Sequence, residues 1–286
     1  MQHVVIVGVG LIGGSIAMAI RKNITIAKII GVDKSKEHLK EAIQLGIIDK
    51  SMSLNEACHM ADLIILASPV DAIVELLPQI LDSIGDKTTV IDLGSIKGTI
   101  CDAVNDHPKR HCFVATHPMA GTENTGPNAA QMQLFDNKVM ILCDTEKSDP
   151  WHVQRVKEIF KSLNMRITHM SANEQDYNTA FVSHLPHLAS FALANCVLEE
   201  EKQEIIFDLA GGGFQSIMRL AKSNAEMWSP IFRHNKQHLL DALDSYVEHL
   251  QEFKKAITAD DDNKIKGLIE EANWIKPILK KITNQC

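Results

Sequence analysis

The chain begins with a continuous apolar run, residues 3–7 (HVVIV), followed by glycines and then by apolar residues at helical spacing over 11–22. An unbroken run of this length suits a strand buried on both faces of a parallel sheet, whereas three-to-four spacing suits a helix packed along one side. The alternation recurs. Strand signals appear in KIIGVD ending at Asp33, ADLIILASP (61–69), TTVIDLGS (88–95), CFVATHP (112–118), KVMILCD (138–144) and MRITHM (165–170), with helical patterns between most of them, such as 71–84 and 151–163. The pattern predicts an α/β domain over residues 1–170 with a doubly wound, mainly parallel sheet.

After about residue 171 the strand signals stop, and an all-α domain is predicted over residues 171–286. Residues 173–201 read as one long, mostly apolar helix in which Pro186 should introduce a kink and free a backbone carbonyl. Three consecutive glycines, 211–213, read as a helix break with positive φ available. From 236 to 257 the stripe Leu239, Leu240, Leu243, Tyr246, Val247, Leu250 and Phe253 forms a packing seam, either core or dimer interface. Asp260 to Asp262 supply a cap for a final amphipathic helix.

Composition narrows the function classes. With 45% hydrophobic and 23% charged residues and a net charge of −7 over 286 residues, this is an ordinary globular chain. Neither half is basic, so no footprint for nucleic acid or an anionic membrane is present. No stretch of 18 apolar residues occurs, and the first residues read as a strand and not as a secretion signal, so a cytoplasmic protein is expected. The six cysteines (58, 101, 112, 143, 196 and 286) show no CxxC spacing and read as reduced thiols. No metal site is expected: His184 and His187 share a helix face but lack a third ligand at recognisable spacing.

The first strand leads into Gly8, Gly10 and Gly13, a GxGxxG placed between strand and helix, which is the context a dinucleotide fingerprint requires. Gly8 permits a tight turn, Gly10 lets the backbone approach a pyrophosphate, and Gly13 lets helix and strand pack closely. Asp33 ends the second strand twenty residues after Gly13, where an acid accepts hydrogen bonds from ribose hydroxyls and repels a 2′-phosphate. NAD is therefore expected in preference to NADP, although Lys34 and Ser35 leave some room for a phosphate. The cofactor-binding candidates are Gly8, Gly10, Leu11, Ile12, Gly13, Asp33, Ser68 and Pro69.

Ligands of doubly wound sheets bind beyond the carboxyl ends of the strands. Three strand-end loops should therefore share one crevice with the glycine loop: Ser68-Pro69-Val70, Gly94-Ser95-Ile96-Lys97 and Thr116-His117-Pro118. His117, at an unperturbed pKa near 6.5, would offer a neutral base at physiological pH. Arg219 stands among Ile217, Met218, Leu220 and Ala221. It reads either as a snorkelling or salt-bridged side chain or as a bidentate carboxylate anchor.

The motifs VGVGLIGGS, DLGSIK, THPMAGTENTG, SHLPHLAS, GGGF followed by Arg219, and Met227-Trp228 occur in this order over essentially the whole chain. Together they resemble the prephenate/arogenate dehydrogenases of tyrosine biosynthesis, most closely a monofunctional prephenate dehydrogenase. The resemblance implies an NAD(P)-dependent Rossmann domain, an all-helical dimerisation domain and a homodimer. It also implies oxidative decarboxylation of prephenate to 4-hydroxyphenylpyruvate. It places His117 as the catalytic histidine at the substrate's 4-hydroxyl and Ser95 as a serine contacting that hydroxyl and orienting the histidine. Arg219 would bind a substrate carboxylate, His187 would line the substrate pocket, Glu123 would stand near its entrance, and Trp228 would be structural beside it. Where many members continue GGGF with Arg-Asp, this chain has Gln215 and Ser216, which removes a charge near the site rim. Arogenate is the alternative substrate. A different dehydrogenase with a helical second domain would be expected to lack the Thr-His-Pro loop, and a non-catalytic NAD sensor need not keep Ser95, His117 and Arg219 together.

Overall fold

The computed structural model describes residues 1–25, 28–200 and 203–283, and the chain divides into two compact units, Met1–Asn235 and Lys236–Cys286. The first unit is built on one sheet. Its strands are β1 (His3–Val7), β2 (Lys28–Val32), β3 (Lys50–Ser51), β4 (Leu63–Leu66), β5 (Thr89–Asp92), β6 (Phe113–Pro118), β7 (Val139–Cys143) and β8 (Arg166–Met170), in the order β3-β2-β1-β4-β5-β6-β7-β8. Between the strands run α1 (Leu11–Asn23), α2 (Lys36–Gln44), α3 (Leu54–Met60), α4 (Val70–Ser83), α5 (Gly98–Asp102) and α6 (Pro150–Ser162). After β8 come α7 (Ala172–Thr179), α8 (Leu185–Leu198), α9 (Gln203–Asp208), α10 (Gly212–Ala221) and α11 (Ala225–His234).

Alternate residues of the central strands feed two cores. Val4 and Ile6 of β1 join α1 and α6 in one cluster, while Val5 and Val7 join α3, α4 and α5 in the other. Strands buried on both faces explain the unbroken apolar runs. Trp228 and Ile231 of α11 belong to the second cluster, so helices from beyond the last strand pack onto the sheet's own core.

The sheet is parallel from β3 through β6, as the alternation predicts, but β7 runs antiparallel to β6, with His117 opposite Ile141, and β8 runs parallel to β7. This reversal has a consequence for the site. An antiparallel neighbour is reached without crossing the sheet, so residues 119–138, which include Glu123, connect β6 and β7 along the edge where β6 ends.

Three details differ from the sequence reading. The long apolar helix, expected to kink at Pro186, carries a π turn just before that residue. A π turn over Ala180–His184, closed by Leu185 N–H donating to the Ala180 carbonyl, joins α7 to α8, and Pro186 falls in the first turn of α8, where its missing N–H costs little. This continuous run, Ala172–Leu198, is long and apolar enough by length and composition to cross a membrane, which the absence of an 18-residue apolar stretch did not suggest. Within it, Gln175, Asp176, Thr179, His184 and Ser190 are buried and hydrogen-bonded, Thr179 to its own helix and the others to residues outside it. The glycine triplet does not use positive φ: Gly211 is an extended N-cap at φ −82°, and Gly212 and Gly213 enter α10.

The second unit consists, among the described residues, of α12 (Lys236–Thr258), α13 (Asp262–Ala272) and α14 (Ile275–Thr283). Asp261 caps α13 by accepting from Lys264 N–H at 2.9 Å. Along α12 the predicted stripe is largely open: Leu240, Tyr246, Val247 and Leu250 are exposed, while Leu239 is buried. Cys58, Cys101, Cys112 and Cys143 are buried free thiols and Cys196 is an exposed one; Cys286 lies outside the described residues.

Candidate active site

The carboxyl ends of β1, β2 and β4 meet at the glycine loop. Gly8 takes φ +93° as the chain turns out of β1, and its N–H donates to the Val32 carbonyl at 2.8 Å. A Cβ there would lie 2.7 Å from the Ala67 carbonyl oxygen and 2.9 Å from Ser68 Oγ, which places the Ser68-Pro69 loop directly against the turn. A Cβ on Gly13 would lie 1.8 Å from the Gly8 carbonyl oxygen, so only glycine allows this contact between turn and helix. Gly10 is different: a Cβ there would meet nothing within 4 Å. It is the N-cap of α1, no side chain caps that end, and Leu11 and Ile12 occupy the first turn. Open space over glycine, at the positive end of a helix, is what a pyrophosphate requires.

Asp33 lies beside this loop. One carboxylate oxygen accepts from Val9 N–H at 2.9 Å and the other from Ser35 N–H at 2.8 Å, whereas the cap of α2 is Ser35, whose Oγ accepts from His38 N–H. Asp33 therefore ties the glycine loop to β2 instead of capping the helix. Two bonds leave further lone pairs on its carboxylate for hydroxyl donors. The open Gly10, the uncapped helix and the placed acid together fit a dinucleotide.

The chemistry-bearing side chains lie further along the same edge. His117, on β6, is buried, and the lack of solvent pushes its imidazole down to about 3, with the charge of Lys97 and then His184 adding to the effect. The sequence expectation of an unperturbed value near 6.5 is thus corrected. Burial comes from strand position, which residue type alone does not report. Lys97 is itself fully buried and paired with Asp92 at the end of β5. The Asp92 carboxylate also accepts from Gly94 and Thr116 N–H. Burial is the largest influence on Asp92 and raises its pKa, opposed by Lys97 and by these hydrogen bonds.

Two side chains of α7 reach this cluster, and sequence reading missed both. Ser171 starts α7 with a capping box shared with Glu174, which fixes the helix entry. One turn on, Asp176 accepts from Lys97 N–H at 2.7 Å and Gly98 N–H at 2.8 Å, locking the loop that carries Ser95. Gln175 donates to the Ser95 carbonyl at 3.0 Å and bonds His117 Nδ1 at 2.8 Å. Ser95 and His117 are thus brought together through a common partner. The only sequence signal of Gln175 and Asp176 was polarity, and they share it with their neighbours in the polar stretch 173–179.

The helical side of the site is lined by histidines. His184 is buried, its Nδ1 bonded to the Asn235 amide, its Nε2 without a partner among the described residues, and burial holds its pKa down to about 4. His187 stacks on Trp228 with centroids 3.7 Å apart, donates from Nδ1 to the Ser183 carbonyl, and is lowered first by burial. The Arg219 charge also reaches His187. Arg219 is not in an apolar setting: its side chain is more than half exposed and its guanidinium lies 3.4 Å from Glu123 Oε2. Residues 117, 123, 187 and 219 therefore converge on one region. Gln215 and Ser216 are exposed on α10. Asp86, His111 and Cys112, which precede β5 and β6 at the opposite edge, bring three ligand atoms within 4.8 Å of one another, a grouping the sequence reading did not foresee and one that takes no part in this site.

A dinucleotide-binding sheet with a buried imidazole at its carboxyl edge and an arginine nearby defines a nucleotide-dependent oxidoreductase. Residues 16–169 match the family model described as the prephenate dehydrogenase nucleotide-binding domain, and residues 171–271 match the prephenate dehydrogenase dimerization domain. A prephenate dehydrogenase of Bacillus subtilis is 34% identical over 262 residues, covering 90% of this chain and 71% of the relative. A cyclohexadienyl dehydrogenase of Zymomonas mobilis is 28% identical over 98% of this chain and 96% of its own. The crystal structure of prephenate dehydrogenase from A. aeolicus in complex with hydroxyphenyl propionate and NAD+ superposes with a TM-score of 0.87 at 31% identity, covering 98% of each chain. The chain belongs to the prephenate dehydrogenase family.

Proposed function

We propose that this protein catalyses the NAD-dependent oxidative decarboxylation of prephenate to 4-hydroxyphenylpyruvate, a step of tyrosine formation. The observation that carries the reading is His117, a buried, neutral imidazole at the carboxyl end of β6, on the edge that also bears the glycine loop. Bound NAD supplies a hydride acceptor for ring C4 of the substrate. Gly8, Gly10, Gly13 and the first turn of α1, with Leu11 and Ile12, hold its pyrophosphate. Asp33 takes the ribose hydroxyls, and Ser68 and Pro69 flank the same crevice. NAD is preferred because Asp33 repels a 2′-phosphate.

On the substrate, His117 Nε2, the ring nitrogen not engaged by Gln175, handles the 4-hydroxyl. As the C4–H electron pair leaves, His117 takes the hydroxyl proton; cleavage of the bond to the ring carboxylate then aromatises the ring, and the proton returns to the phenol oxygen. Ser95 contacts the same hydroxyl. Arg219 anchors a substrate carboxylate through guanidinium donors beyond the one facing Glu123, and exposure keeps it reachable. His187 lines the ring pocket on its Trp228 backing, and Glu123 stands at the entrance. Residues 1–170 carry the nucleotide together with Ser95, His117 and Glu123, and residues 171–286 carry His187, Arg219 and the dimer seam. The protein acts as a cytoplasmic homodimer. The match of 171–271 to a dimerization domain and the open apolar stripe of α12 support this arrangement.

Arogenate, which differs by an amine on the side chain, is the second reading, favoured by the similarity to a cyclohexadienyl dehydrogenase. NADH absorbance after mixing protein with each substrate and each cofactor separates them. Prephenate with NAD should give the highest kcat/KM. Higher values with arogenate would transfer the assignment, and silence in all four mixtures would return the protein to a nucleotide-sensing role.

A further inference from the structure

The bridge made by Gln175 bears on which nitrogen of His117 carries its proton. Gln175 is fully buried, and one end of its amide faces both the Ser95 carbonyl oxygen at 3.0 Å and His117 Nδ1 at 2.8 Å. A carbonyl oxygen only accepts, so the amide atom facing it is the nitrogen, whose two hydrogens serve Ser95 and Nδ1. A neutral imidazole that accepts at Nδ1 carries its hydrogen on Nε2. In that form the ring meets the pocket as a donor. It can accept a hydroxyl proton at Nε2 only as the other tautomer, in which Nδ1–H needs an acceptor. The same amide provides one by turning over and presenting Oε1.

Neither orientation satisfies every group. As the amide stands, Oε1 is buried without a partner among the described residues. Turned over, Oε1 would gain the Nδ1–H but would face the Ser95 carbonyl oxygen at the same 3.0 Å with no hydrogen between them. With one acceptor unsatisfied either way, a ligand that bonds one tautomer better than the other shifts the pair between them. We propose that Gln175 is a positioning residue that sets the ring proton of His117, holding the Nε2–H form in the free protein and turning over when a substrate hydroxyl donates to Nε2. This rests on the hydroxyl-handling role given to His117 above. The coupling passes through the backbone of Ser95, so a group binding at the Ser95 loop also acts on the amide.

The test reads the ring nitrogens of ¹⁵N-histidine-labelled protein by long-range proton–nitrogen correlation NMR, with the His117 signals identified by their loss in His117→Asn. In the free protein Nδ1 should resonate as a bare nitrogen and Nε2 as N–H. Prephenate added without cofactor should exchange the two. A hydrogen on Nδ1 in the free protein, or the same tautomer in both states, overturns the proposal. Gln175→Glu, whose carboxylate only accepts, should hold the Nδ1–H form even without ligand, and this result decides the matter if prephenate does not bind and the functional reading fails. Gln175→Met should lower kcat about tenfold, a small part of the 10²–10⁴-fold that a positioned base contributes, with KM within about threefold. Gln175→Glu should be about tenfold more active than Gln175→Met, because it still supports the accepting tautomer. Equal losses in the two variants with the ring tautomer unmoved would reduce Gln175 to a packing role.

Discussion

Acidification should leave turnover intact over a range in which an ordinary histidine would switch off. His117 is buried, and with Lys97 beside it the imidazole is held down to about 3, against an ordinary value near 6.5. At about 1.4 kcal/mol per pH unit, that gap corresponds to about 5 kcal/mol in favour of the neutral ring in the folded protein. Because the folded value lies below the unfolded one, the folded chain binds fewer protons between these limits. Stability is therefore full above about pH 6.5 and falls as pH drops toward 3, by up to about 1.4 kcal/mol per pH unit for this group. His184, held down to about 4, acts in the same sense. The assay is kcat/KM for prephenate at saturating NAD from about pH 8 to about pH 5, with a urea midpoint at each pH. Turnover should stay within about threefold across that range. The midpoint should decline below about pH 6.5, less steeply in His117→Asn, which removes one of the buried histidines whose pKa is lowered. A tenfold loss of kcat/KM per pH unit below an apparent pKa near 6.5 would refute the reasoning.

Other substitutions separate binding, folding and chemistry. Gly10→Ala meets open space, so its urea midpoint should match wild type while NAD affinity drops by about tenfold or more; Gly13→Ala forces a Cβ to 1.8 Å from the Gly8 carbonyl and should lose stability and NAD binding together. Arg219→Ala should raise KM for prephenate about 10²-fold, from the loss of about 2–3 kcal/mol of charged hydrogen bonding, with little change in stability because its pair with Glu123 is exposed. Lys97→Met leaves Asp92 buried and unpaired and should cost about 3–5 kcal/mol in urea unfolding, most of it recovered in Lys97→Met with Asp92→Asn.

Local patterning carried the sheet, the glycine turn and the strand-end position of His117, because each depends on short-range periodicity or on a residue whose backbone geometry has few alternatives. The reversal of β7 was not visible, since a buried strand reads the same in either direction. The pKa of His117 was misjudged for a related reason: its burial is set by β7 on one side and α7 on the other, not by its neighbours in sequence. Gln175 and Asp176 lie 58 and 79 residues from the groups they bind, so nothing local marks them beyond their polarity. Lys97, five residues after Asp92, was placed in a strand-end loop, but its pairing with Asp92 was not read from the sequence. Arg219 has apolar neighbours in sequence, yet its side chain is exposed and paired with Glu123, which reaches it from the β6–β7 connection; that pairing was one of the two readings its sequence setting left open.

The measurement that bears most directly on the function is the ratio of carbon dioxide released to NADH formed when the protein turns over ring-carboxylate-labelled prephenate. The proposed chemistry couples hydride loss at C4 to loss of the ring carboxylate, so the two products should appear together, one for one. His117→Asn should slow both about 10²–10⁴-fold without uncoupling them. NADH formed without carbon dioxide, or neither product from the wild-type protein, would contradict it.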